Sequence, residues 1–407
     1  MPNRRENSRH AADGDGRESV DAAIPRWYWL AYLTGGFGLA LNAMMNFLLP
    51  LRATDLGISI GVIGLLLGIK GATEALASVP IGGLIDRMGP RRAFIIGTAA
   101  STVLIVLYAI ATSVWAFLFL QIAVGTFRPM AWVGAQSYVS GLREGAAKAT
   151  DTGRLSFVAT GAQIIAPLLV GFGAQAFGTG PAFFVFAGYC AIYVLVGLAL
   201  PKGSDSGSSG ASKRRGLTEG FKLLAIPGIR TVMYLSAARL WINGAWVAFF
   251  PLLLVTSGVS EGSASTVVSS MAVVGTILSP SSGRLAKRFR VEYLTAFSLI
   301  CGAAGLALAP AVASIPAAYG SAFLLGIGHG ISLPMLLVLV SKAVPADQRG
   351  LALGLRSSVN QAAAAAAPPL VAAVIGASTA SVGFPLAAAV GLGLVMSSVG
   401  THRRNPP

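Results

Sequence analysis

Apolar stretches long enough to cross a bilayer recur along this chain from Tyr28 to Val399, broken only by short polar or basic segments. A helix needs about 20 apolar residues to span the hydrocarbon core. Twelve such spans can be placed, centred near residues 38, 71, 102, 126, 164, 190, 241, 271, 303, 328, 364 and 391. Inside lipid every backbone N–H and C=O must be bonded, so only helices and closed barrels cross it. Barrel strands would read as short segments of alternating polarity, whereas these runs are continuous. The expected fold is therefore an all-α membrane protein with twelve transmembrane helices. A charged content of 11%, against about 25% in soluble domains, agrees with lipid as the solvent.

The basic residues then set the orientation. The net charge is +15, but it is scattered between the spans and not gathered on one face, which argues against a nucleic-acid surface. Loops after even-numbered spans carry Arg87, Arg91 and Arg92, then Arg143 and Lys148, Lys213 to Arg215, Arg284 to Arg290, and Lys342 with Arg349. Near the odd-numbered loops there is only Arg52. Positive residues stay on the cytoplasmic side, so both termini are expected in the cytoplasm of a bacterial-type cell membrane. The polar stretch 1–26 lacks the apolar core of a signal peptide. Trp27, Tyr28 and Trp29 read as interfacial anchors. Cys190 and Cys301 fall inside apolar runs, so neither a disulfide, a metal cluster nor a cofactor is expected.

The chain also repeats itself. A shift of 201 residues places Asn42 on Asn243, Pro50 on Pro251, Gly57 on Gly258, Ser59 on Ser260, Gly82 on Gly283 and Pro167 on Pro368. One ungapped offset over such a distance points to duplication. The expected layout is a tail (1–26), a six-helix bundle (27–200), a flexible linker (201–227) containing "PKGSDSGSSGASKRRG", a second bundle (228–400) and a short tail (401–407). Parallel repeats of this kind put a solute site between the halves near the midplane.

Between spans 2 and 3 lies "GGLIDRMGPRR", four charges in a greasy chain. It resembles motif A of the major facilitator superfamily, G-x-x-x-D-R-x-G-x-R-R, with Gly82, Asp86, Arg87, Gly89, Arg91 and Arg92 on the matching positions. The resemblance extends over the whole chain through the twelve spans and duplicated halves. It implies that Asp86 latches the halves by sitting against the N-terminus of helix 11, held by the helix dipole and by Arg349. The second copy has Lys287 where the first has Asp86, and Lys287 is expected near Asp151 or Glu144 at the start of helix 5. Helix 5 itself resembles a degenerate motif C of drug:proton antiporters, through Gly153, Ala162, Ala166, Pro167 and Gly171.

Ionisable groups at bilayer depth are costly and are functional candidates by default. Glu74 is the one acid placed well inside a span, with Lys70 one turn before it. Arg128 and His329, related by the repeat offset, lie mid-helix in spans 4 and 10. Glu74, His329 and Arg128 are thus candidates for proton coupling. Helices 1, 4, 7 and 10 line the cavity in the family, which makes Asn42, Asn46, Arg128, Trp132, Gln136, Arg239, Asn243, Trp246 and His329 candidate substrate-cavity residues. The excess of positive charge suits neutral, zwitterionic or anionic solutes better than cations.

The expectation is a monomeric, proton-coupled secondary exporter of small amphipathic molecules, embedded in lipid and working by alternating access. An uptake symporter of the same superfamily is the alternative, and a non-transporting receptor or scaffold a more distant one. No nucleophile elbow, zincin helix or intramembrane acid pair is present, so an enzyme is not expected. No phosphate-binding loop marks ATP as the energy source.

Overall fold

A computed structural model of the chain describes residues 25, 27–143, 145–202, 222–311, 314–345 and 348–404. The expected 1–26 tail, except Pro25, lies outside the described residues, as do 203–221 of the linker and the last three positions.

Every expected span is a helix. They are α1 (Tyr28–Asp55, interrupted only at Thr34), α2 (Ile60–Met88), α3 (Pro90–Ile110), α4 (Val114–Ser140), α5 (Gly145–Phe177) and α6 (Thr179–Ala199) in the first half. The second half has α7 (Pro227–Thr256), α8 (Glu261–Leu278), α9 (Val291–Leu308), α10 (Ile315–Ala343), α11 (Arg349–Ala377) and α12 (Ala380–Arg404). Large apolar side chains such as Leu76, Trp115 and Phe157 stand fully outward, the reverse of a soluble protein and the pattern lipid requires. The protein is a multi-pass membrane protein.

The duplication is visible in backbone angles as well as in letters. Gly57 has φ 73° and Gly258 has φ 91°, closing the same turn after α1 and after α7. The residues two places on, Ser59 and Ser260, are extended N-caps with φ,ψ of −65°, 149° and −62°, 151°. A chance match of glycines would not reproduce a left-handed turn and the cap after it. The copies differ at the other end. Whereas α2 runs through Pro80 to Met88, α8 stops at Leu278 and gives way to a 3-10 turn, Ser279–Ser281, around Pro280. The linker expected to end at 227 ends sooner, because Leu223 in the turn Leu223–Ala225 is buried in the core of the second half.

Consecutive spans alternate in direction, so the starts of α1, α3 and α5 share one end of the bundle with the basic loops. We call this the basic end and the opposite one the far end. Toward the far end the halves are closed by small residues. On α2, Gly64, Gly68 and Gly71 lie directly against Ala365, Pro368, Pro369 and Ala372 of α11, so that a Cβ would collide at Gly64 and Gly68 and be tightly crowded at Gly71. On α5, Gly171 lies against Ser265 and the Glu261 carbonyl of α8, and Gln175 Oε1 accepts a 3.1 Å bond from Gly262 N–H. Nearer the basic end the same helices part. Gly82 and Gly83 of α2, Gly350 and Gly354 of α11, and Gly153 and Gly161 of α5 have nothing within 4 Å of where a Cβ would stand. The result is a cleft between the halves, shut at the far end and open at the basic end.

Candidate functional site

Two polar clusters occupy the middle of the helices, at the depth where contact between the halves ceases. In the first half Glu74 of α2 is buried. Arg128 of α4 holds it with both arms, Nε to Oε1 at 2.7 Å and Nη2 to Oε2 at 2.5 Å. Lys70 Nζ lies 3.1 Å from Oε1 and donates to Asn42 Oδ1 of α1 at 2.5 Å. The third nitrogen of Arg128 reaches the Gly38 carbonyl at 3.4 Å. One carboxylate therefore gathers three helices, and two cations saturate it. The fork geometry is what favours arginine over lysine for such a clamp. Removing one member of a buried pair strands the other, a loss of about 3–5 kcal/mol.

The second half has the cations without the acid. Arg239 of α7 is 8% exposed. Its Nε donates to Ser332 Oγ of α10 at 3.0 Å and its Nη2 lies 3.3 Å from both ring nitrogens of His329. A guanidinium can only donate, so His329 receives it through an unprotonated ring nitrogen. Asn243 turns toward α8, donating to Met271 Sδ at 3.8 Å. Half-buried Arg356 on α11 is a further cation, which sequence reasoning missed. It stands in an alanine-rich helix close to a basic loop, and only the packing of α11 on α7 reveals its depth.

The other expected cavity residues divide. Asn42 and Asn46 are half-buried, Gln136 is exposed, and Trp132 lies over Gly38, whose missing side chain makes room for the indole. Trp246 is a correction. It is fully buried, stacked 4.4 Å from Phe250 with Nε1 donating to Ser321 Oγ at 3.0 Å, and so belongs to the core of the second half and not to a cavity wall. Its indole N–H found a partner on α10, which a one-turn spacing on α7 does not disclose.

The motif A residues take separate tasks. Gly89, at φ 85°, closes the α2–α3 turn, with Pro90 opening α3. Arg91 caps the end of α6, donating to the carbonyls of Leu198 and Leu200 at 2.8 Å each. Asp86, Arg87 and Arg92 are exposed, and Gly82 touches nothing across the cleft. Arg349, expected to hold Asp86, donates instead to Ser341 O at 3.3 Å. Asp86 and Arg349 therefore do not meet in this structure, whose basic end is open.

Two further expectations change. Asp151 is fully buried, but its partners are Tyr32, which donates at 2.6 Å, Arg143, and Arg154 at 3.9 Å. The Asp151 carboxylate raises the Arg143 guanidinium further above its usual pKa. Lys287 is exposed and makes no contact with Asp151; the alternative partner, Glu144, lies outside the described residues. The acid was already satisfied within its own half. On helix 5, Gly153 is exposed, Ala162 lies beside Gly36 of α1, Ala166 and Pro167 are buried, and only Gly171 meets the other half. Of the expected anchors, Trp29 is exposed with Arg154 5.9 Å above its ring, and Tyr28 donates to the Leu142 carbonyl at 3.5 Å.

No curated protein sequence matches the chain. Among solved structures it resembles the nucleoside transporter NupG, with a TM-score of 0.78 at 15% identity over 93% of this chain and 100% of that one. It resembles an inward-facing, unoccupied bacterial homolog of the human lysosomal transporter Spinster, at 0.72 and 16% over 94% and 97%. The peptide transporter POT in complex with sulfate follows at 0.74 and 17%, over 93% and 95%. At such identities these likenesses establish the fold alone. The sequence model of the Major Facilitator Superfamily matches residues 28–368. With duplicated six-helix halves around a one-sided cleft, the chain belongs to the Major Facilitator Superfamily and is a transporter, not an enzyme.

Proposed function

We propose that this transporter exports small amphipathic molecules across a bacterial-type cytoplasmic membrane in exchange for protons, with both termini cytoplasmic. The carrying observation is Glu74, the one acid at mid-span depth among the described residues, clamped by Arg128 and Lys70 where the cleft narrows. Protonating that carboxylate would release two buried cations at once, and a buried cation without a counter-charge is expensive. Loss of the clamp would therefore be coupled to rearrangement of α1, α2 and α4 around the cleft. Asn42 and the Gly38 carbonyl offer the freed cations partial relief. The halves would then rock about the far-end seam until the basic end closes.

With the basic loops facing the cytoplasm, the open cleft would load solute from inside the cell, as export requires. The motif A loop and the small-residue pattern of α5 favour the same direction. In proteoliposomes with an imposed pH gradient, the wild type should accumulate solute uphill against the proton flow. Glu74→Gln should lose uphill accumulation while keeping downhill exchange. Undiminished uphill transport by this variant would remove the coupling role from Glu74. Solute moving with the protons would instead identify a symporter.

A further inference from the structure

The second half buries polar atoms that nothing satisfies. Ser236 Oγ on α7, Arg356 Nε and Nη1, and Asn360 Oδ1 on α11 are buried without a hydrogen-bond partner. Arg356, Asn360 and Ala367 share one face of α11 by their spacing, and Ala367 packs against Gly244 of α7. That face accordingly turns toward α7, the helix that carries Ser236 and Arg239. The Arg239 and Arg356 guanidiniums act on each other electrostatically, and Arg239 is bonded only to the neutral Ser332 and His329. On its α9–α10 side, Arg239 also borders a narrow pocket with Asn243, Gly302, Gly328 and His329. In the first half, Glu74 already occupies two nitrogens of Arg128. Among the described residues, the second half supplies no equivalent acid.

Native proteins pair their buried polar groups, and two neighbouring cations left unpaired are a strong departure. We propose that Arg239 and Arg356 form the seat for an anionic group of the transported solute, a carboxylate or a phosphate, which completes the second half as Glu74 completes the first. This deepens the transport reading above and rests on it for the word transported. With Nε and Nη2 of Arg239 engaged by Ser332 and His329, its Nη1 and the Nε and Nη1 of Arg356 are the donors left for charge-assisted bonds to either group. Ser236 and Asn360 add a hydroxyl and an amide able to meet the remaining oxygens or a neighbouring N–H or O–H of the solute. Arg239 stands mid-helix, level with the end of the far-end seam, so the seat would lie at the floor of the open cleft. The solute class that follows is an amphiphile carrying at least one negative charge.

The test uses the full chain purified in a nonionic detergent at fixed ionic strength, with four probes built on one naphthyl scaffold: carboxylate, phosphate monoester, carboxamide and methylammonium. Calorimetry should find that at least one of the two anions binds at least about tenfold more tightly than the amide or the ammonium. Arg239→Gln and Arg356→Gln should each weaken anion binding by about tenfold or more and leave the amide unchanged, with Arg356→Lys between. The ligand-free Arg356→Gln protein should melt no lower than wild type, because the change removes a half-buried guanidinium with two unsatisfied nitrogens. A lower melting temperature would mark Arg356 as structural and overturn its role. Equal binding of the ammonium, no binding of either anion, or wild-type anion affinity in both glutamine variants would each overturn the seat. Phosphatidylglycerol nanodiscs separate the sources of the anion: displacement of the naphthyl anion there, but not in phosphatidylcholine, would reassign the seat to a lipid headgroup. No gradient enters these equilibria. Uncoupled transport in flux assays would thus refute the proton reading while the seat stood, and the reverse outcome is equally readable.

Discussion

Asn42 and Asn243 stand at the same place in the two halves, and each bonds the side chain 28 residues further along the chain: Asn42 accepts from Lys70 at 2.5 Å, and Asn243 donates to Met271 Sδ at 3.8 Å. The fold has kept the contact and exchanged its chemistry. Around Asn42 there are a lysine, a glutamate and an arginine. The corresponding places around Asn243 hold Met271, Gly275 and His329. The second half instead carries its charge at Arg239, whose counterpart in the first half is Gly38, the residue whose carbonyl Arg128 contacts. One half holds a closed ion cluster and the other an open cationic one.

The closed cluster predicts a non-additive stability pattern. Glu74→Gln leaves Lys70 and Arg128 facing each other and should cost about 3–5 kcal/mol, read as a large fall in melting temperature of the purified protein. Adding Arg128→Gln should recover much of that loss, since the two side chains interact directly. A double variant as unstable as the sum of the singles would show that Arg128 is not clamped by Glu74.

How much of this was legible in the sequence depends on the length of the signal. The spans were, including α8 and α11 with their Ala, Ser and Pro, because hydrophobic length registers over about 20 residues. The duplication was too, since a fixed offset accumulates over half the chain. Facing was not. Trp246 shares a helical face with Asn243 yet ends in the core, and nothing in the letters around Arg356 tells how deep it stands. The alanine run before Pro368 acquires a reason only when Gly64, Gly68 and Gly71 are seen against it. Each of these depends on which neighbour a helix face meets, and that is decided by packing between segments far apart in sequence.

The far-end seam predicts which glycines are sensitive. A Cβ on Gly68 would stand 2.9 Å from the Ala365 carbonyl and from the Pro369 ring. Gly68→Leu should prop the far end open, abolish transport, and lengthen the distance between spin labels placed at Ser59 and Thr379. Gly82→Ala, which meets nothing here, should leave that distance unchanged. An unaltered far-end distance in Gly68→Leu would show that the seam is not held by close approach.

Asp86 is exposed in the basic-end-open form, so Asp86→Asn should not lower the melting temperature of that form. It should slow transport several-fold by weakening closure of the basic end, while protease accessibility shows normal insertion. Normal flux would leave the motif A charges with only an orienting role and the capping bond from Arg91.

The broken copy of motif A allows the reverse experiment. Lys287 occupies the place that Asp86 has in the first half, is exposed, and makes no contact with Asp151. If the basic end closes as the proposed rocking requires, pseudo-symmetry would carry this loop toward the N-terminus of α5, as it would carry Asp86 toward α11. A lysine arriving there meets a like-signed helix end, with Arg143 and Lys148 close by in sequence. The buried acid is already engaged by Tyr32 and Arg143. If Asp86 latches the first half, the second half would mildly oppose the closure that the first promotes. Lys287→Asp should turn that opposition into a second latch, worth about 0.3–1 kcal/mol from the helix end. Spin labels across the basic end should then report a larger closed fraction, and a cleft that closes too readily should load solute more slowly. Lys287→Gln should move the population in the same direction by less. If Lys287→Asp left the distribution of distances at the wild-type value, the loop of the second half would have no part in closing the cleft, and Asp86 alone would carry the latch.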